Sequence, residues 1–218
     1  MLTIPRRGLI LDLPLNWDAK DYSWNWYDGT PTDVAWVETN IGYQNKCASF
    51  NGSSSYVDCW TILNWISNFC ISFWYNSKNA SQWKYMISQA WSNSWDKIFA
   101  VYENWSSSFV DFFNNNWNSI WTITFKSEAN KWINLIIIVN WNNAYLYKNW
   151  ILIWNSFWLN DRDVDSTTPF YIGRRISDYW IGKICLFRIY NRVLTEPEIH
   201  TLYLEWLRKL TPARNTYL

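Results

Sequence analysis

Asp161, Asp163 and Asp165 alternate through NDRDVDS, residues 160–166, and alternating carboxylates are how an EF-hand loop begins to surround calcium. Such a loop also needs Gly at its sixth position and a bidentate Glu at its twelfth. This chain has Ser166 and Ile172 there, so the segment reads as a solvated acidic loop. A second group of hard oxygen ligands, Asp21, Asn25 and Asp28, crowds the stretch DYSWNWYDGT at 21–30. These three are the candidate metal ligands, and structural calcium is the one cofactor the chain suggests. The competing reading is a loop whose Asx side chains hold their own backbone.

Catalytic patterns are missing. Retaining glycoside hydrolysis needs two carboxyl groups about 5–5.5 Å apart. Alternate strand residues share a face, so Glu-x-Asp-x-Glu is the pattern to find, and it is absent. Glu38, Glu103, Glu128, Glu196, Glu198 and Glu205 are scattered, three of them near the C-terminus beside His200, the single histidine. That placement argues against a Ser-His-Asp or Cys-His centre, and nothing resembles a phosphate-binding glycine loop. Cys47, Cys59, Cys70 and Cys185 form no CxxC pair, which argues against zinc. Either Cys47 and Cys59 pair across a hairpin, or all four are small buried residues. Tyr102, Asn104, Asp111 and Arg174 are aromatic or polar groups near expected strand ends, each either a ligand contact or an ordinary surface residue.

The elements that must position these residues are strands. Alternating apolar runs bounded by turn residues predict strands near 8–13, 34–37, 45–51, 55–59, 69–76, 84–90, 97–103, 108–113, 120–126, 132–139, 143–148, 151–154, 169–174 and 182–190. That spacing predicts an all-β antiparallel sandwich. One segment, 195–210, reads as a helix: Thr195 as N-cap, Pro197 in the first turn and Glu198 completing a capping box. Ile199, Leu202, Tyr203 and Trp206 fall on one face of it, and the tail TPARNTYL is expected to fray. No linker divides the chain, so residues 1–218 read as one domain with its core at about 8–210. The net charge is +1, which gives no basic patch for nucleic acid. The longest apolar run, LIIIV at 135–139, is far short of a membrane span. The first residues lack a signal peptide's pattern. The chain is thus cytoplasmic, part of something longer, or exported by another route.

Composition holds an anomaly: 20 Trp against 6 Gly. Seven tryptophans follow Asn: Trp17, Trp26, Trp65, Trp105, Trp117, Trp141 and Trp150. Asn-Gly is the strongest short hairpin signal, because a type I′ turn needs positive φ at both central residues. YLYKNWILI, 145–153, is a hairpin pattern with Trp where Gly belongs. Left-handed geometry costs a side-chain-bearing residue about 1–2 kcal/mol, and ten such sites would rival a domain's stability of about 5–15 kcal/mol. UGA is a stop in the standard code; some lineages read it as Trp and a few uncultured bacterial ones as Gly. A gene of the second kind translated with the first table gives this text. Glycine at sixteen of the positions would leave 4 Trp and 22 Gly, about 10% of the chain, an ordinary share. Trp36, Trp74, Trp132 and Trp206 read as true tryptophans, and Trp180 reads either way. The alternative is a Trp-rich surface that stacks on sugars.

With glycine at the suspect positions, DLPLNWDAKDYSWNWYDGT resembles the opening of laminin-G-like domains of the concanavalin A-like lectin/glucanase superfamily. CASFNGSSSYVDC resembles the family's A-x-x-F-x-G-x-x-x-Y-V hairpin, carried by Ala48, Phe50, Gly52, Tyr56 and Val57. FCISFWYNSKN resembles its strand with an inward tryptophan, Trp74. KWINLIIIVNWNNAYLYKNWILI resembles its Trp-led strand and Asn-Gly hairpin. FYIGRR and GKICLFRIYNRVLTEPEI resemble the closing segments through Gly173, Gly182, Arg188, Tyr190, Asn191, Leu194 and Glu198. The resemblance covers most of the chain. It implies a jelly roll with one C-terminal helix, a non-catalytic carbohydrate-binding or adhesion module whose partner is a glycan or cell-surface protein. The alternative is a structural jelly roll of a cell surface or virion without a small-molecule ligand. An extracellular or virion-surface location is what the family implies. Cys185 and Leu186 replace an acidic pair common in the family's closing strand, which weighs against calcium.

Overall fold

The computed structural model describes residues 4–39, 45–63, 66–78, 83–89, 98–104, 107–113, 119–141, 143–157 and 169–207. NDRDVDS, the tail from 208, and Trp65, Trp91, Trp95, Trp105, Trp117 and Trp158 lie outside them, as do the side chains of Trp121 and Trp206. In chain order the strands are β1 (Leu9–Leu13), β2 (Thr30–Thr32), β3 (Ala35–Glu38), β4 (Lys46–Asn51), β5 (Tyr56–Asp58), β6 (Asn68–Ser77), β7 (Lys84–Gln89), β8 (Ile98–Asn104) and β9 (Ser107–Phe113). They continue as β10 (Ser119–Lys126), β11 (Trp132–Asn140), β12 (Asn143–Lys148), β13 (Ile151–Phe157), β14 (Phe170–Ile172), β15 (Arg174–Arg175), β16 (Asp178–Tyr179) and β17 (Ile181–Tyr190), and a helix follows, α1 (Glu196–Leu207). Each of the expected strands is present, and the three added ones, β2, β15 and β16, are two or three residues long.

The strands form an all-β jelly-roll sandwich. One sheet runs β13-β12-β11-β6-β17-β4-β3, with β1 also paired to β17; the other runs β10-β9-β8-β7-β14-β5-β2, with β15 and β16 attached through β7. Apart from one parallel bridge between β16 and β7, Tyr179 to Tyr85, the pairing is antiparallel. The core between the sheets comes from alternate residues of facing strands: Phe69, Ile71, Phe73 and Tyr75 of β6 meet Ile87 of β7, Phe99 and Val101 of β8 and Val110 of β9. One buried carboxylate interrupts it. Glu103 accepts hydrogen bonds from Ser77 Oγ at 2.5 Å, Ser127 Oγ at 2.7 Å and the indole N–H of Trp180 at 2.8 Å. Trp180 has no exposed surface and packs on Phe50 and Tyr75, so this position needs a true indole. All four cysteines are buried and unpaired. The Cys47–Cys59 disulfide is not formed: Cys59 faces the inter-sheet core, while Cys47 packs with Trp74, Cys185 and Leu186 on the outer face of the first sheet.

The helix covers that outer face. Ile199 and Leu202 pack on Leu9, Cys70, Ile136, Ile138, Tyr190 and Leu194, and Tyr203 stacks on Trp74 at 5.6 Å. Its start is capped as the sequence requires: the Thr195 N–H donates to Glu198 Oε2 at 2.9 Å, satisfying one of the orphan groups at a helix start. Arg192 grips the same carboxylate with two bonds, of 2.9 and 2.6 Å. These bonds, Arg192's first, hold Glu198 down to about 2. A carboxyl depressed on folding contributes stability above its unfolded value of about 4.3, which is lost as pH falls toward the folded value. Arg192→Ala is therefore expected to destabilise the domain at pH 7 by about 1 kcal/mol for a half-buried pair at the surface, read as a lower urea midpoint. The gap between variant and parent should narrow as pH falls from 4.5 to 2, leaving the part due to Arg192's bonds to the Arg7 and Val193 carbonyls, which do not titrate there; a constant gap overturns the assignment.

A buried ion cluster joins helix to sandwich. Arg188 of β17, 2% exposed, donates from Nε to Asp12 Oδ1 of β1 at 2.8 Å, and from Nη1 and Nη2 to Glu205 of α1 at 2.5 and 3.0 Å.

Candidate functional site

The outer face of the second sheet gathers the polar and aromatic groups that could meet a ligand. Alternation along β8 sends Phe99 and Val101 into the core and Ala100 and Tyr102 outward. Phe109 and Asp111 of β9 lie opposite them, with registers Tyr102 to Phe109 and Ala100 to Asp111. In β7 the alternation breaks. The register shifts between Tyr85 and Ile87, so Met86 and Ile87 both enter the core while Tyr85 joins Tyr102 outside. A bulge of this kind re-aims a side chain. Here it completes an aromatic strip across three strands. Tyr85 and Tyr102 are 5.1 Å apart between centroids, and Tyr102 stacks on Phe109 at 5.0 Å and 9°. Trp83 lies over its end, 5.2 Å from Tyr102 and 6.4 Å from Phe109.

Polar groups flank the strip. The Tyr102 hydroxyl donates to Asp111 Oδ2 at 2.6 Å. Burial pushes the Asp111 carboxyl up, against the pull of hydrogen bonds from Tyr102 and Thr122 and the charge of Arg175. Next to β7, Gly173 at φ 92° turns the chain from β14 into β15. A side chain there would strike the Phe50 ring, so glycine is required. The turn delivers two arginines. Arg174 lies over Tyr56 at 3.5 Å and Tyr171 at 4.2 Å, and its carbonyl accepts from Ser88 Oγ at 2.8 Å. Arg175 lies over the Tyr85 ring at 4.8 Å and donates to its hydroxyl at 2.5 Å. Small residues, Ser88 and Ala100, separate the Tyr171 end from Asp111 along one cross-strand row.

Of the residues expected to bind, Tyr102 and Asp111 are in direct contact. Asn104 is two residues beyond Tyr102 at the end of β8, opposite Ser107. Arg174 occupies the tyrosine cluster at the other end. Sequence reasoning missed Tyr85, because the bulge is not written in KYMISQ as a pattern, and Phe109 and Arg175, although the doubled arginine after Gly173 was a signal. The opening loop also brings its expected ligands together. Asp21 accepts backbone N–H bonds from Asp12 and Ser23 on Oδ1, at 2.9 and 2.8 Å, and from Tyr27 on Oδ2 at 3.1 Å. Asp28 accepts from the Asp21 N–H at 2.8 Å, and Asn25 donates to the Leu9 and Ile10 carbonyls at 3.1 and 3.2 Å. These side chains hold their own loop. Among the described residues no group of three or more His, Cys, Asp or Glu side chains is placed to hold a metal ion. Trp24 and Trp26 of this loop form a shallow hollow of 160 Å³ with Asp21 and Tyr22.

The fold and these motifs meet in one comparison: the model of the concanavalin A-like lectin/glucanases superfamily matches residues 51–200. The chain belongs to this superfamily. Solved structures share the superfamily's sandwich. Domain 4 of AbnA, an extracellular arabinanase of Geobacillus stearothermophilus, solved with arabinotriose, is 18% identical over 90% of this chain and 98% of its own, at a TM-score of 0.72. The botulinum neurotoxin serotype G binding domain is 21% identical over 90% of this chain and 50% of its own, also at 0.72. The binding domain of Paraclostridial Mosquitocidal Protein 1 is 20% identical over 93% and 52%, at 0.71. The chain thus spans about half the length of the toxin domains. A search of the curated proteins returned no match. These superfamily likenesses, all under 25% identity, establish the fold. No helix among the described residues is long and apolar enough to cross a membrane.

Proposed function

We propose that the chain is a non-catalytic carbohydrate-binding module whose platform is the outer face of β7, β8 and β9, with Tyr102, Asp111 and Arg174 as contacts and Asn104 at the rim. The carrying observation is the aromatic strip Tyr85–Tyr102–Phe109 set between a carboxylate and two arginines. Aromatic faces accept the apolar face of a sugar ring, and a few placed polar groups orient its hydroxyls. The carbohydrate in the AbnA domain supports the same class of ligand. Glu103, next to Tyr102 in sequence, is committed to Ser77, Ser127 and Trp180 inside the sandwich, which leaves it unavailable as a partner for Asp111 in hydrolysis. The chain's partner is accordingly a glycan or a glycan-bearing surface.

The test is a glycan array followed by calorimetry. Phe109→Ala and Tyr102→Ala are each expected to weaken binding about 3- to 10-fold, the worth of one aromatic pair, with unchanged far-UV spectra. Binding that ignores both substitutions overturns the platform. One observation favours a second reading, a structural jelly roll of a cell surface or virion: Tyr85 and Tyr102 are only 5% and 3% exposed, beneath Arg175 and Trp83. A silent array supports that reading.

A further inference from the structure

Five described tryptophans have left-handed backbone: Trp24 (φ 77°), Trp26 (62°), Trp60 (60°), Trp141 (45°) and Trp150 (69°). Gly8 at 72° and Gly52 at 80° occupy the same region. Side-chain-bearing residues other than Asn and Asp adopt it seldom, because Cβ approaches the following carbonyl; Leu15, Ile176 and Leu186 do so here at 52–55°, so handedness counts together with exposure and the Asn-Trp turn. Asn149 and Trp150, both at positive φ, are the whole loop between Lys148 of β12 and Ile151 of β13. That is the type I′ turn for which Asn-Gly is selected.

Burial separates the tryptophans along the same line. The five are exposed, Trp24 and Trp26 at 81% and 84%, although Trp60 donates its indole N–H to the Asp28 carbonyl at 3.0 Å. Trp36, Trp74, Trp132, Trp154 and Trp180 have ordinary φ and pack against apolar clusters. Two independent properties, backbone handedness and packing, therefore sort one residue type into two populations. Trp17 and Trp83 are exposed with ordinary φ, so the codon decides them.

We infer that the protein made in its own cells carries glycine at 24, 26, 60, 141 and 150, encoded by UGA and read there as glycine. Exposed indoles at these turns then vanish, and with them the hollow at Trp24 and Trp26 as a binding site. Codon 83 bears on the proposed platform and rests on that reading: glycine there uncovers the stacked Tyr102–Phe109 pair.

Two readouts test the inference. The coding DNA should hold TGA, read as UGA in the message, at the five positions and TGG at 74 and 180. Tryptic peptides of the protein isolated from its own cells should then be sequenced by fragmentation. Residues 21–46 contain positions 24 and 26 with Trp36 as internal control, and residues 132–148 contain position 141 with Trp132 as control. Glycine at 24, 26 and 141 beside intact controls is the expected result. Tryptophan at any of the three overturns the inference, whatever the codon. Glycine there with no glycan bound by the purified protein leaves this inference standing and removes the carbohydrate reading instead.

Discussion

Replacing Trp24, Trp26, Trp60, Trp141 and Trp150 together by glycine is expected to stabilise the domain by about 3–5 kcal/mol. Left-handed geometry costs each L residue about 1–2 kcal/mol. Glycine returns about 0.5–1 kcal/mol of that through the freedom it loses on folding, leaving a modest gain per site. At about 2–4 °C per kcal/mol for a domain of this size, the thermal midpoint should rise by about 6–20 °C. Removing five exposed indoles should also move the product from aggregates to soluble monomer, since exposed aromatic clusters drive association. The same substitution must change sign in the core. Trp180→Gly leaves a cavity between Phe50 and Tyr75 and strips Glu103 of a donor; large-to-small changes of this kind cost about 3–5 kcal/mol. Opposite signs at turn and core separate backbone strain from a general dislike of tryptophan. Equal melting and solubility of the parent and the five-fold variant would sink the strain argument.

Strands such as β12 and β14 were legible because they bury alternate residues and keep period two in the sequence, whereas β6, β11 and β17, covered on both faces, read as short continuous apolar runs bounded by turn residues. β2 escaped notice because Thr30–Thr32 is three residues with Pro31 at its centre, and β15 and β16 because two residues carry no period. The helix start was legible because Thr195 and Glu198 act locally. The proposed platform was legible only in part. Tyr102 and Asp111 stand nine positions apart on adjacent strands, within reach of hairpin reasoning. Tyr85 depends on a bulge that sequence periodicity cannot place, and Arg174 reaches its tyrosines through a turn set by one glycine. Trp180 was ambiguous in DYWIG, since a glycine is plausible in a turn; only its burial against Glu103 decides for indole.

The ion cluster under the helix was invisible for a different reason: Arg188 and Asp12 are 176 positions apart. It yields the second large prediction. Arg188→Met takes from Asp12 and Glu205, both buried, the guanidinium they share, and leaves Asp12 beside the exposed Arg6 Nη1 at 3.7 Å. Removing one partner of a buried ion group costs about 3–5 kcal/mol, because the charges left behind have lost both water and counterion. The thermal midpoint should fall by about 6–20 °C. The loss should appear first in α1, where Glu205 is held by two of the three bonds, so hydrogen exchange along 196–207 should accelerate more than along β6 or β11. Neutralising the carboxylates distinguishes charge from shape. Asp12→Asn with Glu205→Gln, added to Arg188→Met, should recover most of the stability, since buried ion groups replaced by neutral groups of similar volume are often no less stable. A triple variant as weak as Arg188→Met alone means the guanidinium acts by packing. Loss spread evenly over the sandwich, with α1 no faster than β6, means the cluster does not anchor the helix.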